Sequence, residues 1–365
     1  MSKEILIIIW MGVMGVLSTQ IQFKKIEFVE DKKVVRYSMG FALFVFLPII
    51  IWAGFRDGTG YADTNAYIAL YKSLPENMHQ LLTYLGGLEK DWGFYFFSGV
   101  IKQIFGEGYR PFLLIIAIVQ GMSLIKFYQK YSENYVLSIA LFILSGEYMG
   151  WMMNGMRQFL AVCIIYFAIP WIVEKKYIRC ILVILLASTI HQTAIIMLPI
   201  IFIVQGKPWN KKTIATLGIA LVALIASSQF TNFLNVAMED TVYATNISEM
   251  VNQTGTNPIR VLVYSLPALL SLLGKRYIEN KNDTIVNITV NMSIITMALS
   301  VIGMMTSGVM IGRLSIYTSL FNYVLLPYEL DNIFEERTAK ILKVVMIIMY
   351  IMYYYYMMHF AYGRI

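Results

Sequence analysis

Charged residues are scarce in this chain. Asp, Glu, Lys and Arg make up 14% of its 365 residues, where a soluble globular domain carries about 25%. Hydrophobic residues reach 58% and the mean hydropathy is +0.64. So few polar side chains cannot cover a surface in water, which excludes a soluble enzyme or soluble binding domain. Cysteine is nearly absent too. Cys163 and Cys180 lie in or beside apolar runs, show no metal spacing, and imply neither a disulfide framework nor a redox compartment. There is no phosphate-binding glycine loop, no dinucleotide fingerprint, no Cys/His metal cluster and no Asp-rich pair for a divalent ion. ATP-driven transport is not supported, and no cofactor or metal is expected.

What is present is hydrocarbon in repeated runs: Ile5–Ser18, Ser38–Phe55, Pro111–Ile125, Tyr135–Trp151, Met156–Val173, Cys180–Val204, Thr213–Phe230, Ile259–Leu273, Ile285–Met305, Leu314–Leu330 and Val344–His359. Most approach the roughly 20 residues that a bilayer core needs. The first run is not a signal peptide by its flanks, because Lys3 is offset by Glu4 while Lys24, Lys25, Lys32, Lys33 and Arg36 follow it. It reads as a retained helix with its N-terminus outside.

Two runs are ambiguous. Trp92–Phe105 is short and interrupted by Lys102, and Cys180–Val204 is long, with His191-Gln192 in its middle. If the first stays on the outer face and the second is a short hairpin turning near His191, the loops 21–37, 126–133, 174–179, 205–212, 274–282 and 331–343 all face the cytoplasm. Those loops hold most of the 29 basic residues, as the positive-inside rule requires. The net charge of +7 then sorts to one membrane face and is no nucleic-acid footprint. The expectation is an all-α integral membrane protein, one polytopic domain of about ten crossings plus a helical hairpin, with outer loops at about 56–110 and 231–258.

The same arrangement brings Arg56, Arg157, His191 and Arg313 to one depth near the outer face. Ionisable groups in spans are expensive and usually face a cavity. Arginine stays charged and grips phosphate oxygens bidentately, so the set suits a lipid-linked phosphate or diphosphate. Each residue also has a plainer reading. Arg56 is equally an interfacial anchor, and His191 equally a hydrogen-bonded structural imidazole. Asp63, before Thr64-Asn65, fits a helix N-cap, as does Asp91 before Trp92. Glu147 ends an apolar helix. Any of Asp63, Glu147 or His191 has the chemistry of a general base. Tyr61, Tyr67, Tyr71, Tyr84, Trp92 and Tyr95 offer rings on which sugars stack, or an ordinary interfacial belt.

Three places carry a family resemblance. They are Arg56…Gly58-Thr59…Asp63-Thr64…Tyr67, then Asp91-Trp92-Gly93-Phe94, then Asn154-Gly155-Met156-Arg157-Gln158 followed by His191-Gln192-Thr193-Ala194. In order and spacing the chain resembles the EpsG family, which is similar to Wzy-type polysaccharide polymerases. It departs from the pattern in the longer Gly58–Asp63 spacing and in Asp rather than Glu before Gly93. The resemblance implies a GT-C-like multi-pass bundle in the bacterial cytoplasmic membrane. That bundle would polymerise oligosaccharide repeat units carried on undecaprenyl diphosphate at the outer face, into exopolysaccharide, capsule or O-antigen. Membrane lipid, a chain-length regulator and a flippase are the implied partners. In that scheme Arg157 and Arg313, helped by Arg56, take the diphosphate. His191, Asp63 or Glu147 deprotonates the acceptor hydroxyl, and Tyr67 and Asp91 help hold substrate. A glycan ligase and a lipid-linked oligosaccharide flippase are the rival readings. The clustering of in-span arginines on one side favours an enzyme over the flippase.

Overall fold

The first helix, α1 (Lys3–Leu17), starts where the Ser2 hydroxyl accepts from the Ile5 N–H and so satisfies one orphan donor of the first turn. This is a computed structural model that describes residues 2–20, 24–29, 32–59, 61–226, 255–305 and 311–363. The expected outer loop 231–258, up to residue 254, lies outside the described residues, as does Thr306-Ser307-Gly308. The chain divides into two compact units, Met1–Ile195 with Glu335–Ile365, and Ile196–Phe334.

In the first unit, α1 is followed by strands β1 (Lys24–Val29) and β2 (Lys32–Tyr37). They pair antiparallel, with Lys24 opposite Tyr37 and Val29 opposite Lys32. This ribbon occupies the expected loop 21–37 and leaves the fold all-α in class. Ile26, Phe28, Val34 and Val35 are β-branched or aromatic, and such residues favour extended chain over the loop read from the charges. Next comes α2 (Met39–Gly54), capped by Ser38, which accepts from the Phe41 N–H. The stretch 56–110 is mostly helical: α3 (Ala62–Ser73), α4 (Met78–Gly86) and α5 (Trp92–Phe105) fill it. Lys102, the residue that breaks the apolar run, is buried and explains the packing. Its ammonium donates to the carbonyls of Lys72 and Leu74, both at 2.6 Å, and pairs with Glu107 at 2.8 Å. Orphan carbonyls at the end of α3 are thereby satisfied and α3 is fixed to α5.

The unit continues with α6 (Tyr109–Tyr131), α7 (Tyr135–Leu144), a π-helix (Tyr148–Asn154), α8 (Met156–Phe167), α9 (Ile169–Val173) and α10 (Tyr177–Ile190). Between α7 and the π-helix the axis bends by 78°. Gly146, at φ 76°, supplies the left-handed conformation at that bend. α6 packs on α2 and α8, and α10 packs on α8 and α5. The closing helix Glu336–Tyr356 belongs here too, and Tyr354 meets Tyr148 hydroxyl to hydroxyl at 2.6 Å.

The second unit holds α11 (Met197–Ile203), α12 (Lys211–Ile225), α13 (Pro258–Leu273), α14 (Lys275–Lys281) and α15 (Thr284–Met305). Three short helices follow, α16 (Ile311–Leu314), α17 (Ile316–Ser319) and α18 (Asn322–Ile333). The run Leu314–Leu330, expected as one span, is thus broken by turns. Its core gathers Ala268, Ile278, Val290, Ile294, Leu325 and Tyr328.

Among the described residues, three helices are long and apolar enough to cross a membrane: Tyr109–Tyr131, Thr284–Met304 and Glu336–Ala361. There are five if the bent pairs Tyr135–Leu144 with Tyr148–Asn154, and Pro258–Leu273 with Lys275–Lys281, each count once. Other expected crossings fall on shorter apolar helices, among them Met39–Gly54, Met156–Phe167 and Tyr177–Ile190. The protein is a helical membrane protein.

Candidate functional site

Asp91 is the hub of the candidate site. It stands just before α5 in the left-handed conformation, φ 58° and ψ 22°, and makes no capping bond to its own helix. The expected cap role is therefore not what its side chain does. Its carboxylate turns instead to two distant segments. Asp91 Oδ2 lies 3.3 Å from Arg157 Nη1 and 3.4 Å from His191 Nδ1, while Oδ1 accepts from the Gln192 N–H at 2.8 Å. Burial alone pushes this carboxyl up. The His191 imidazole beside it, the charge of Arg157 and the Gln192 N–H outweigh that, and hold it below its ordinary value.

Local sequence explains how the three segments meet. Helix α10 stops at His191, whose backbone is extended at φ −152° and ψ 115°. A 3₁₀ turn, Gln192–Ile196, then begins. Its first N–H has no partner within its own turn, and Asp91 supplies one. The expected break near His191 is present. Gly93 lets α5 approach α10: a Cβ there would sit 2.2 Å from Thr189 Oγ1 and 3.0 Å from the Thr189 carbonyl carbon. Arg157, in the first turn of α8, lies with its guanidinium 5.9 Å from the Phe94 ring centroid, a cation–π contact. Among the other rings around Phe94 is Tyr67 on α3, edge-on at 5.8 Å. Tyr67, Phe94, Arg157, Asp91 and His191 thus form one continuous set of contacts within the first unit.

Arg157 and His191 keep part of their chemistry open. Their side chains are 24% and 19% exposed, against 3% for Asp91. Arg157 uses Nη1 on Asp91, and its buried Nε finds no hydrogen-bond partner among the described residues. With Nδ1 turned to Asp91, His191 has Nε2 as its second functional atom.

Arg56 does not sit at an exposed interface. It is 2% exposed. Nε donates to Thr64 Oγ1 at 2.9 Å, Nη2 reaches Met156 Sδ at 3.2 Å, and Nη1 donates to the Ala53 carbonyl. Thr64 passes the connection on, donating to the Met153 carbonyl at 2.6 Å. Burial pulls this guanidinium down to about 10. Arg56 therefore ties α2, α3 and α8 together, with its fork occupied by protein. Sequence reasoning missed Thr64; its place in the motif was the one available signal.

Asp63 lies in the first turn of α3, where the helix dipole favours a carboxylate, but the N-cap is Tyr61. The backbone N–H of Asp63 makes a long contact, 3.5 Å, with Asn154 Oδ1. Glu147, at the bend before the π-helix, is 1% exposed. Tyr128, Tyr166 and Tyr350 all lie within its electrostatic reach. Arg313 is an exposed residue of α16 in the second unit. An apolar cavity of about 520 Å³, lined by Met11, Gly15, Leu137, Lys343 and Ile351 among others, includes none of these residues. Among the described residues no group of three or more His, Cys, Asp or Glu is placed to hold a metal ion.

No curated protein and no solved structure matches the chain. A match to the EpsG family runs over residues 39–364, which takes in the Arg56, Asp91, Arg157 and His191 motifs together. The chain belongs to the EpsG family.

Proposed function

We infer that this protein is a glycosyltransferase-type polymerase. It would join oligosaccharide repeat units carried on undecaprenyl diphosphate, at the outer face of the bacterial cytoplasmic membrane, from a bundle of about ten crossings. The observation that carries the reading is the shared contact of Arg157 and His191 with the buried carboxylate of Asp91.

In this scheme the terminal hydroxyl oxygen of one repeat unit attacks the anomeric carbon of another chain. The carbon–oxygen bond to the diphosphate breaks, and its electron pair leaves with the diphosphate. His191 Nε2 takes the hydroxyl proton, while Asp91 at Nδ1 sets the tautomer and stabilises the imidazolium that forms. Arg157 offers the part of its guanidinium not spent on Asp91 to the diphosphate, where negative charge develops. Asp91 acts through Arg157 and His191 and is a positioning residue. Arg56 positions α8, which carries Arg157. Tyr67 supports the Phe94 ring beneath Arg157 and offers its own edge to a sugar. Asp63 and Glu147 are alternative bases, and the phosphate role of Arg313 rests on its sequence position.

Deletion of the gene, followed by gel analysis of surface glycan, tests the reading. Single capped repeat units are the expected product. Long polymer retained on lipid would mean a ligase instead, and lipid-linked units held inside would mean a flippase.

A further inference from the structure

The second unit buries a carboxylate that the proposed chemistry does not use. Glu329, on α18, is fully buried, and neither of its carboxylate oxygens has a hydrogen-bond partner among the described residues. The same unit buries three further acceptors. Asn287 and Asn291 on α15 and Asn322 on α18 are buried, and the side-chain oxygen of each also lacks a donor.

These amides cannot escape by flipping. The Asn291 nitrogen donates to the Val204 carbonyl at 3.0 Å and lies near those of Gly206 and Lys207. The Asn322 nitrogen donates to the Tyr264 carbonyl at 3.0 Å, and that of Asn287 to Asn282 Oδ1 at 3.1 Å. Each nitrogen is committed to an oxygen, so each oxygen must face whatever remains.

Register brings the orphan acceptors together along two antiparallel stretches. Thr318 meets Thr296 hydroxyl to hydroxyl at 2.7 Å. Further along, Leu325 and Tyr328 share a core with Val290 and Ile294, with Val286 packed against it. At about 1.5 Å per residue, Glu329 reaches the level of Asn287, and Asn291 stands one turn away. A buried carboxylate to which no donor is bonded demands a positive occupant. One carboxylate matches one positive charge. Divalent ions usually recruit further charged ligands, and no such cluster occurs among the described residues.

We propose that Glu329, with the side-chain oxygens of Asn287 and Asn291, forms a buried site for a monovalent cation, a proton or a sodium ion. The site is independent of the polymerase reading. The titratable groups on the helices packed against α18 are Arg260 and Tyr264 on α13, Tyr317 on α17, and Lys275, Arg276, Tyr277, Glu279 and Lys281 on α14; α15 carries none. On α14, Tyr277 and Lys281 both bond to Asn332, and Lys281 Nζ lies 5.1 Å from the Tyr328 ring centroid. α18 itself adds Tyr323, Tyr328 and Asp331. Arg260 is committed to Tyr264, with Nη2 2.7 Å from its hydroxyl, more than two turns from the level of Glu329.

The test is thermal unfolding of the full-length protein in detergent, wild type against Glu329→Gln. It runs between about pH 5 and pH 9, in sodium chloride and in choline chloride. If a proton is held, the wild type loses stability as pH rises, on the order of 2 °C per tenfold fall in proton concentration, whatever the salt. If sodium is held, the melting temperature climbs by a similar step per tenfold rise in sodium and ignores choline. Glu329→Gln should lose the dependence in either case. Wild type indifferent to both ions, or a Glu329→Gln protein that keeps the wild-type response, overturns the proposal. Should that variant fail to fold, carbodiimide labelling of wild-type membranes decides. Modification at Glu329 that falls with rising pH or with added sodium supports the site. Modification unaffected by both, or none at all, overturns it.

Discussion

Gly93 lies against Thr189 so closely that no side chain fits between α5 and α10: the nearest contact of an added Cβ would be 2.2 Å, and the Thr189 backbone itself would be 3.0 Å away. Backbone cannot swing aside as the end of a long side chain can. Gly93→Ala should push α5 off α10 and pull Asp91 away from His191. The expected cost is about 1–3 kcal/mol of stability, typical of an overpacked contact, together with loss of polymer. Thermal unfolding in detergent beside glycan gels reads both. A variant with wild-type melting and polymer would refute the contact.

Asp91→Asn keeps the shape and removes the charge. A positioning role predicts roughly a 10- to 100-fold drop in polymer, as for partners that orient a reacting group, with membrane abundance unchanged. Quantitative blotting beside glycan analysis separates this from misfolding. Equal losses in abundance and in polymer would make Asp91 merely structural.

Arg157→Lys keeps one positive charge and loses the planar fork. If Arg157 grips a diphosphate bidentately, polymer falls steeply while expression holds. Wild-type chain length in this variant would sink the assignment.

Arg56→Ala should behave in the opposite way. It leaves the Ala53 carbonyl without its buried guanidinium donor and removes the tie through Thr64, at about 1–3 kcal/mol per orphaned group. Membrane abundance and melting temperature should fall together with polymer. A variant that is fully abundant yet inactive would restore Arg56 to the substrate site.

The pH dependence follows from the lowered carboxyl of Asp91. A group held below its unfolded value contributes stability above that value, about 3.9, and loses it as pH falls through the folded one. The melting gap between wild type and Asp91→Asn should therefore persist from neutral pH down to about 4 and close below it. A gap that closes already near pH 6 would place the charge contact elsewhere.

Part of this site was legible in the sequence as residue types: Arg157 and His191 stand out because charge in an apolar run is expensive, whereas Asp91 reads as a helix cap and enters only through its motif. What the sequence could not give was partnership. Asp91 and Gln192 are 101 positions apart, and no local rule joins them. Arg56 shows why burial is harder to read than topology. Snorkelling to an interface and closing on Thr64 are equally available to an arginine at a helix end, and the Thr64–Met153 bond decides between them. The helices were legible from hydrophobic runs, but their ends were not. Gly146 and the π-helix divide one run, turns divide Leu314–Leu330, and the residues of β1 and β2 favoured extended chain where the charges suggested a loop.

The division into two units has a consequence for how the protein is made. The unit with the Asp91 centre takes its last helix, Glu336–Tyr356, from beyond the whole second unit. During synthesis the first 195 residues must therefore wait in the bilayer with Tyr148 still lacking Tyr354, whose hydroxyl it meets across 206 positions. Chains cut short within the second unit would carry the Asp91, Arg157 and His191 motifs and still lack the helix that packs on α7 and brings Tyr354 to Tyr148. Such chains should be recognised by membrane proteases as unfinished, so completion of this unit is a late event in the life of the chain.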